Sequence, residues 1–281
     1  MHFVKYHALG NDYIVWDPAR ANGEPTLSQT RLLCHRNYGV GSDGVLVGPL
    51  ERSGKIFSVR IFNPDGSEAE KSGNGLRIFS RYLWDQKMVG EEPFTIFTKG
   101  GQVTAQIQKE GREITIAMGA LSFDSTLIPV EGPPREVINE ILTIEGNELR
   151  FCAATIGNPH CVVLRDELDV ELVKKWGPLI EVDPRFPYRT NVQFMKILDR
   201  ENIQIEIWER GAGYTLASGT SSSAAAGVAH KLGLCDAHIS VHSPGGILYI
   251  AISNDYKISL RGPVTKIAEG NLAKELFTHQ L

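Results

Sequence analysis

Residues 218–230 read Ser218-Gly219-Thr220-Ser221-Ser222-Ser223-Ala224-Ala225-Ala226-Gly227-Val228-Ala229-His230. The pattern predicts one helix from Gly219 to about Leu232. Its residues are small and apolar on nearly every face. Such a helix has no face reserved for water, so it belongs in the middle of a domain with a sheet wrapped around it. A second helical stretch runs from Gly73 to about Gln86, with Leu76, Phe79, Ser80 and Leu83 at helical spacing. It too is preceded by a serine, in Lys71-Ser72-Gly73-Asn74-Gly75.

Ser72 and Ser218 lie 146 residues apart, and their surroundings repeat at nearly the same offset. Gly10-Asn11 returns as Gly157-Asn158 after 147 residues, and Ile61 as Ile207 after 146. Gly100-Gly101 returns as Gly245-Gly246 after 145, and Gly119 as Gly262 after 143. Matches in register along the chain indicate a duplicated domain. The 281 residues accommodate two domains of ordinary size. The expected halves are 1–130 and 131–281, joined near Pro129–Arg135, with the end of the chain free to cross back to the first half.

Strand signals fill the rest of both halves. In the first, short β-branched and aromatic runs occupy His2–Tyr6, Tyr13–Trp16, Val45–Gly48, Ile56–Asn63, Pro93–Thr98, Gln102–Lys109 and Arg112–Met118. The second repeats the theme at Leu149–Thr155, Cys161–Leu164, Asn191–Ile197, Asn202–Glu209, His238–Ser243, Ile247–Ser253 and Lys257–Gly262. The expected fold is α/β in the α+β sense: two pseudo-symmetric halves, each a curled, mostly antiparallel sheet around a central helix that begins at its serine.

Composition narrows the function. A formal net charge of −4 gives no reason to expect nucleic acid or an anionic membrane as partner. No apolar run approaches the roughly 20 residues that span a bilayer, and the N-terminal stretch reads directly into a strand, so the expected location is cytoplasmic. Cys34, Cys152, Cys161 and Cys235 have neither zinc nor redox-pair spacing and read as free, buried thiols. A homodimer is the default assembly.

A small-residue turn that opens a helix collects free backbone N–H groups at the positive end of the helix dipole, where a carboxylate can be held. Two such starts, facing one another across the join, would grip one small substrate from both sides. Ser is also a favoured plain N-cap, which is the simpler account of either serine alone. The neighbours favour a pocket: Asn63-Pro64-Asp65-Gly66 precedes the first turn and Trp208-Glu209-Arg210-Gly211 the second. Asn11, Asn158 and Asn191 sit at further loop or strand ends. Arg210 suits bidentate pairing with a carboxylate, and Glu209 suits an ammonium.

Together, Gly10-Asn11-Asp12-Tyr13, Gly39-Val40-Gly41-Ser42-Asp43-Gly44, Asn63-Pro64-Asp65-Gly66-Ser67-Glu68, Ser72-Gly73-Asn74-Gly75, Gly157-Asn158-Pro159-His160-Cys161, Trp208-Glu209-Arg210-Gly211 and Ser218-Gly219-Thr220 resemble the diaminopimelate epimerase family. The resemblance implies a cofactor-free, metal-free epimerase or racemase that inverts the α-carbon of an amino acid, foremost LL- or meso-diaminopimelate. One cysteine thiolate of that family removes the α-proton while a second thiol delivers one to the opposite face. By motif, those positions are Ser72 and Ser218. The resemblance further implies substrate contacts at Asn11, Asn63, Asn158, Asn191, Glu209 and Arg210. It places the backbone of Gly73, Asn74, Gly219 and Thr220 around the reacting carboxylate, with His160 beside the site.

The departure falls on the two groups that do the chemistry. A cysteine has an ordinary pKa of about 8.5, lowered further at a helix N-terminus, whereas a hydroxyl needs a neighbour to take its proton. Three readings compete. The chain is an inactive Cys-to-Ser form of an epimerase, a divergent isomerase that moves the proton with a carboxylate such as Glu209 or Asp65, or a silent amino-acid-binding homologue.

Overall fold

The computed structural model describes residues 1–21 and 23–278. The chain forms two compact units. One comprises Met1–Ala117 together with the chain from Arg261 onward; the other is Met118–Leu260.

In the first unit, one sheet runs in the order Thr265–Asn271, His2–Ala8, Asn11–Trp16, Val45–Val47, Arg60–Phe62, Glu68–Ala69. All neighbours are antiparallel except Asn11–Trp16 with Val45–Val47. Further strands at Ile56–Ser58, Phe94–Thr98, Gly101–Gln108 and Glu113–Ala120 pair in succession. The Gly73–Asp85 helix packs against His2–Ala8 and Asn11–Trp16 on one side and Gly101–Gln108 on another. Sheet therefore surrounds it, and ten of its 13 residues are buried, Arg77 and Ser80 among them. Tyr6 and Tyr82 donate hydrogen bonds to Asp85 and Asp17, at 2.9 and 2.7 Å, tying helix to sheet.

In the second unit the strand order is Glu140–Ile144, Asn147–Thr155, Pro159–Leu164, Asn191–Ile197, Asn202–Glu209, His238–Ser243, Gly246–Ile252 and Lys257–Pro263. Gly213–Thr215 pairs with Asn202–Glu209 off this path. The Gly219–Lys231 helix touches six of these strands, from Asn147–Thr155 to Gly246–Ile252. One helix can meet six strands of a sheet only if the sheet curls around it. Its small residues are what permit that enclosure: Ala224, Ala225, Ala226, Val228 and Ala229 are all fully buried. This is the α+β architecture that the small-residue helix predicts.

Both central helices begin at the predicted residue, are 13 residues long and end one residue short of the expected stop, with Gln86 and Leu232 as C-caps. The duplication extends to the backbone. Gly10 and Gly157 have φ of +90° and +105°, and Gly101 and Gly246 have +101° and +134°. The Ile56–Asn63 run is broken into Ile56–Ser58 and Arg60–Phe62, which join different neighbours.

The division between units differs from 130/131. Ile128, Val130 and Val137 pack with Phe151 and Trp176 in the core of the second unit, so Pro129–Arg135 is core-anchored loop and not a linker. The chain does cross back, since Thr265–Asn271 pairs antiparallel with His2–Ala8. A helix at Val170–Glu181, capped by Asp169, covers the second unit's sheet on Asn191–Ile197 and Asn202–Glu209. Its Gly177-Pro178 pair reads as a break in the sequence, yet burial of Val173, Trp176 and Ile180 carries the helix through it. All four cysteines are free and buried. No helix among the described residues is long and apolar enough to cross a membrane.

Candidate active site

Ser72 and Ser218 both cap their helices, with the same φ of −142° and ψ of 117° and 129°. Ser72 Oγ accepts from Gly75 N–H at 3.0 Å, and Ser218 Oγ from Ser221 N–H at 3.4 Å. The residues between cap and third position are Gly73-Asn74 and Gly219-Thr220. Their N–H groups belong to the first turn, where no carbonyl one turn back exists to receive them. Each unit thus presents a hydroxyl beside a set of helix-start donors.

In the first unit, Leu9 and Gly10 both have positive φ and close a tight hairpin that pairs Ala8 with Asn11. Asn11 is thereby fixed at a strand start. Its Nδ2 donates to Asp43 Oδ2 at 2.9 Å, and its Oδ1 accepts from Asn74 Nδ2 at 3.0 Å. Asp43 stands in the glycine-rich segment, which is held by ions: Arg36 bridges Asp43 at 2.7 Å and Asp12 at 2.9 Å, and Lys5 meets Asp12 at 2.8 Å. Burial pushes the Asp12 carboxyl up, but the hydrogen bonds from Arg36 and Lys5 outweigh it and hold the pKa below the usual value. Asn63 is placed less centrally. It opens a turn in which its Nδ2 donates to Ser67 Oγ at 2.9 Å. Asp65 is exposed, and the hydrogen bonds from Ser67 lower its pKa, which makes it a poor base.

Tyr13 is a neighbour the sequence reading did not single out. Its hydroxyl lies 3.4 Å from Ser72 Oγ, and its ring crosses Gly44 so closely that a Cβ there would sit 2.5 Å from Cε1 and 2.6 Å from the Phe62 carbonyl oxygen. Gly44 is therefore required by close approach. Gly44→Ala is expected to cost about 1–3 kcal/mol through overpacking and to move Tyr13 off Ser72. Urea denaturation reads the first effect, and a crystal structure of the variant reads the second.

In the second unit, His160 is fully buried, with Nε2 2.9 Å from Asn158 Oδ1. That acceptor places the proton on Nε2, and Nδ1 has no hydrogen-bond partner among the described residues. Burial drives the pKa down to about 3; the Gln193 side chain opposes this and the Arg210 charge adds to it. His160 is therefore neutral at physiological pH and too weak a base to activate a hydroxyl.

Asn191 is a staple: its Nδ2 donates to the Pro159 carbonyl at 2.8 Å and its Oδ1 accepts from Arg210 N–H at 3.0 Å. It fixes the Asn158-Pro159 turn against the Glu209-Arg210 turn. Arg210 is exposed, with Nη1 donating to the Tyr188 carbonyl at 2.9 Å. Glu181, at the end of the Val170–Glu181 helix, accepts from Trp208 Nε1 at 2.8 Å and from Gly211 N–H at 3.1 Å. No motif in the sequence marks this support of the Glu209 turn. Gln193 Nε2 donates to Ser221 Oγ at 3.0 Å, below the Ser218 cap.

Glu209 ends the Asn202–Glu209 strand, partly buried. Burial raises the pKa of its carboxyl, and the hydroxyls of Ser218 and Thr215 oppose that rise by favouring the charged form. Glu209 is thus the carboxylate best placed beside a helix-start serine.

The fold is shared with solved structures. A hydroxyproline epimerase from Agrobacterium vitis matches with a TM-score of 0.70 at 16% identity, over 96% of this chain and 91% of its own. A phenazine biosynthesis protein of the PhzF family from Bacillus anthracis matches with a TM-score of 0.69 at 16% identity, over 97% and 99%. What these matches define is a fold: a two-unit α+β architecture in which sheet encloses a central helix.

Sequence comparison is more specific. The diaminopimelate epimerase family pattern matches residues 3–123 and 152–267. "Diaminopimelate epimerase 2" of Nostoc sp. is 58% identical over 277 residues, covering 99% of this chain and 97% of the relative. The diaminopimelate epimerase of Pelotomaculum thermopropionicum is 38% identical over 275 residues, covering 96% and 98%. The chain belongs to the diaminopimelate epimerase family and is an isomerase of the amino-acid epimerase and racemase type.

Proposed function

We propose that this protein binds diaminopimelate and carries, at the two proton-transfer positions Ser72 and Ser218, hydroxyls in place of thiols. The observation that carries this reading is the pair of serine caps with matching backbone angles on helices of equal length, each beside Asn, Glu or Arg side chains. Helix-start N–H groups of Gly73, Asn74, Gly219 and Thr220 hold the reacting carboxylate. Glu209 receives an ammonium and Arg210 a carboxylate, while Asn11, Asn63, Asn158 and Asn191 shape the rest. Inversion requires a base to take the α-proton from one face and an acid to return a proton to the other. Hydroxyls perform both steps poorly, so binding is retained and turnover is slow.

Glu209 supports a second reading, in which its carboxylate moves the proton and Ser218 orients it. Burial raises the Glu209 pKa toward the range useful for a base at neutral pH. Deuterium incorporation at the α-carbon in heavy water, with the chain as it stands, separates the two: rapid exchange favours the carboxylate reading.

The binding proposal is tested by calorimetry and thermal melting. Millimolar meso-diaminopimelate is expected to raise the melting temperature by several degrees, since a ligand at 100 times its Kd adds about 2.7 kcal/mol. Proline and glutamate should give smaller shifts. No shift with any amino acid would sink the amino-acid pocket.

A further inference from the structure

Arg77 is completely buried within the Gly73–Asp85 helix, one turn beyond the Ser72 cap. Its Nη2 donates to Asn74 Oδ1 at 2.8 Å, while Nε and Nη1 have no hydrogen-bond partner among the described residues. Among the described residues no carboxylate pairs with it, and burial pushes its pKa down to about 9. A buried charge without an ionic partner costs a fold stability. The side chain therefore calls for another explanation, and the bond to Asn74 provides one.

That bond begins a chain of four side chains. Arg77 donates to Asn74 Oδ1; Asn74 Nδ2 donates to Asn11 Oδ1 at 3.0 Å; Asn11 Nδ2 donates to Asp43 Oδ2 at 2.9 Å. An amide can be turned end for end with little change in shape, so an isolated asparagine does not define which end meets a ligand. Here both ends of the chain are committed. A guanidinium only donates, and a carboxylate paired with a cation only accepts; Arg36 supplies that cation at 2.7 Å. Turning either amide would set oxygen against oxygen or N–H against N–H somewhere along the line.

We infer that Arg77 and Asp43 are positioning residues, which polarise Asn74 and Asn11 into one orientation and thereby decide whether a substrate meets N–H or carbonyl at Asn11. This rests on the proposed reading that the Asn11 side chain contacts substrate. Arg77 acts through Asn74 and touches no substrate itself. The same position in the second half is Ser223, whose hydroxyl bonds to the Gly219 carbonyl, so the relay belongs to one half only.

The test uses the full chain with Arg77→Met, Arg77→Lys and Asp43→Asn. Arg77→Met removes the buried charge at similar length, so its melting temperature is expected to equal or exceed the parent's. Its affinity for meso-diaminopimelate should nevertheless fall about tenfold, the effect of a lost orienting hydrogen bond. Arg77→Lys, which keeps a donor-only cation, should recover part of that affinity; Asp43→Asn, which breaks the far end, should lose a similar amount. In ¹⁵N spectra the side-chain amides of Asn11 and Asn74 should be dispersed in the parent and collapse toward solvent values in Arg77→Met.

Unchanged affinity or unmoved amide signals in Arg77→Met would overturn the relay. So would affinity losses that merely follow falls in melting temperature across all three variants, which is the mark of a structural role. If the parent binds no diaminopimelate, the functional reading fails while the amide spectra still judge the relay.

Discussion

Replacing both serines, Ser72→Cys with Ser218→Cys, is expected to raise α-proton exchange of diaminopimelate in deuterated water by at least about 10³-fold, since a positioned general acid or base is worth 10²–10⁴. The gain comes from acidity. A thiol has an ordinary pKa of about 8.5, and the helix start that each cap occupies lowers it by favouring negative charge. The caps themselves should survive, because sulfur at the same position can still accept, more weakly, from Gly75 and Ser221. Either single replacement should fall far below the pair, because inversion needs a proton removed on one face and supplied on the other. The chain's own cysteines do not compete: burial raises the pKa of Cys34, Cys152, Cys161 and Cys235 alike, so none offers a thiolate near neutrality. Proton NMR of the α-position reads the outcome. A double variant that binds diaminopimelate yet exchanges nothing would show that Ser72 and Ser218 are not the proton-transfer positions.

The sequence disclosed those two positions because a duplicated motif leaves its mark in spacing. Ser72 and Ser218 open helices of equal length, and Gly10 and Gly157 adopt matching positive φ. Local chemistry was equally readable: an N-cap serine, a glycine turn and an all-small helix each follow from residues within a few positions of one another. The Val170–Glu181 helix escaped because Gly177-Pro178 disfavours helix locally, and burial of Trp176 and Ile180 overrides that preference from outside the segment.

The supports of the site were hidden for a similar reason. Asp43 meets Asn11, and Glu181 meets Trp208, over sequence separations of 32 and 27 residues that no periodicity reports. Burial is the other quantity a motif does not carry. It makes His160 a neutral side chain with a pKa of about 3, and gives Asn191 two backbone partners to hold. Asn63 and Asp65 looked alike as turn polar residues, and both are engaged by Ser67 within their own turn.

Glu209→Gln should stabilise the protein at neutral pH while weakening diaminopimelate binding about a hundredfold. The stability effect follows from the direction of the Glu209 shift. Burial makes the folded pKa higher than that of an unfolded glutamate, which is about 4.3. The fold therefore binds the proton more tightly than the unfolded chain does. The resulting stabilisation is fully present below the unfolded pKa and is lost as pH rises through the folded one. At pH 7.5 the parent bears the cost of a desolvated carboxylate, and glutamine does not. Urea midpoints at pH 7.5 and 5 should show the variant ahead at the higher pH, with the gap narrowing at the lower.

Binding moves the opposite way, because the carboxylate is the proposed partner of a substrate ammonium. Losing a hydrogen bond between charged groups costs about 1.5–3 kcal/mol, and loss of the charge itself places the effect toward the upper end. The same linkage gives the parent's affinity a pH dependence. An ammonium favours the ionised carboxylate, so affinity should rise with pH through the folded pKa, with a proton released on binding below it. The variant should show neither trend. Calorimetry in buffers of different ionisation enthalpy counts that proton directly. A variant that binds as tightly as the parent, with the same pH profile, would remove Glu209 from the pocket and take the carboxylate-transfer reading with it.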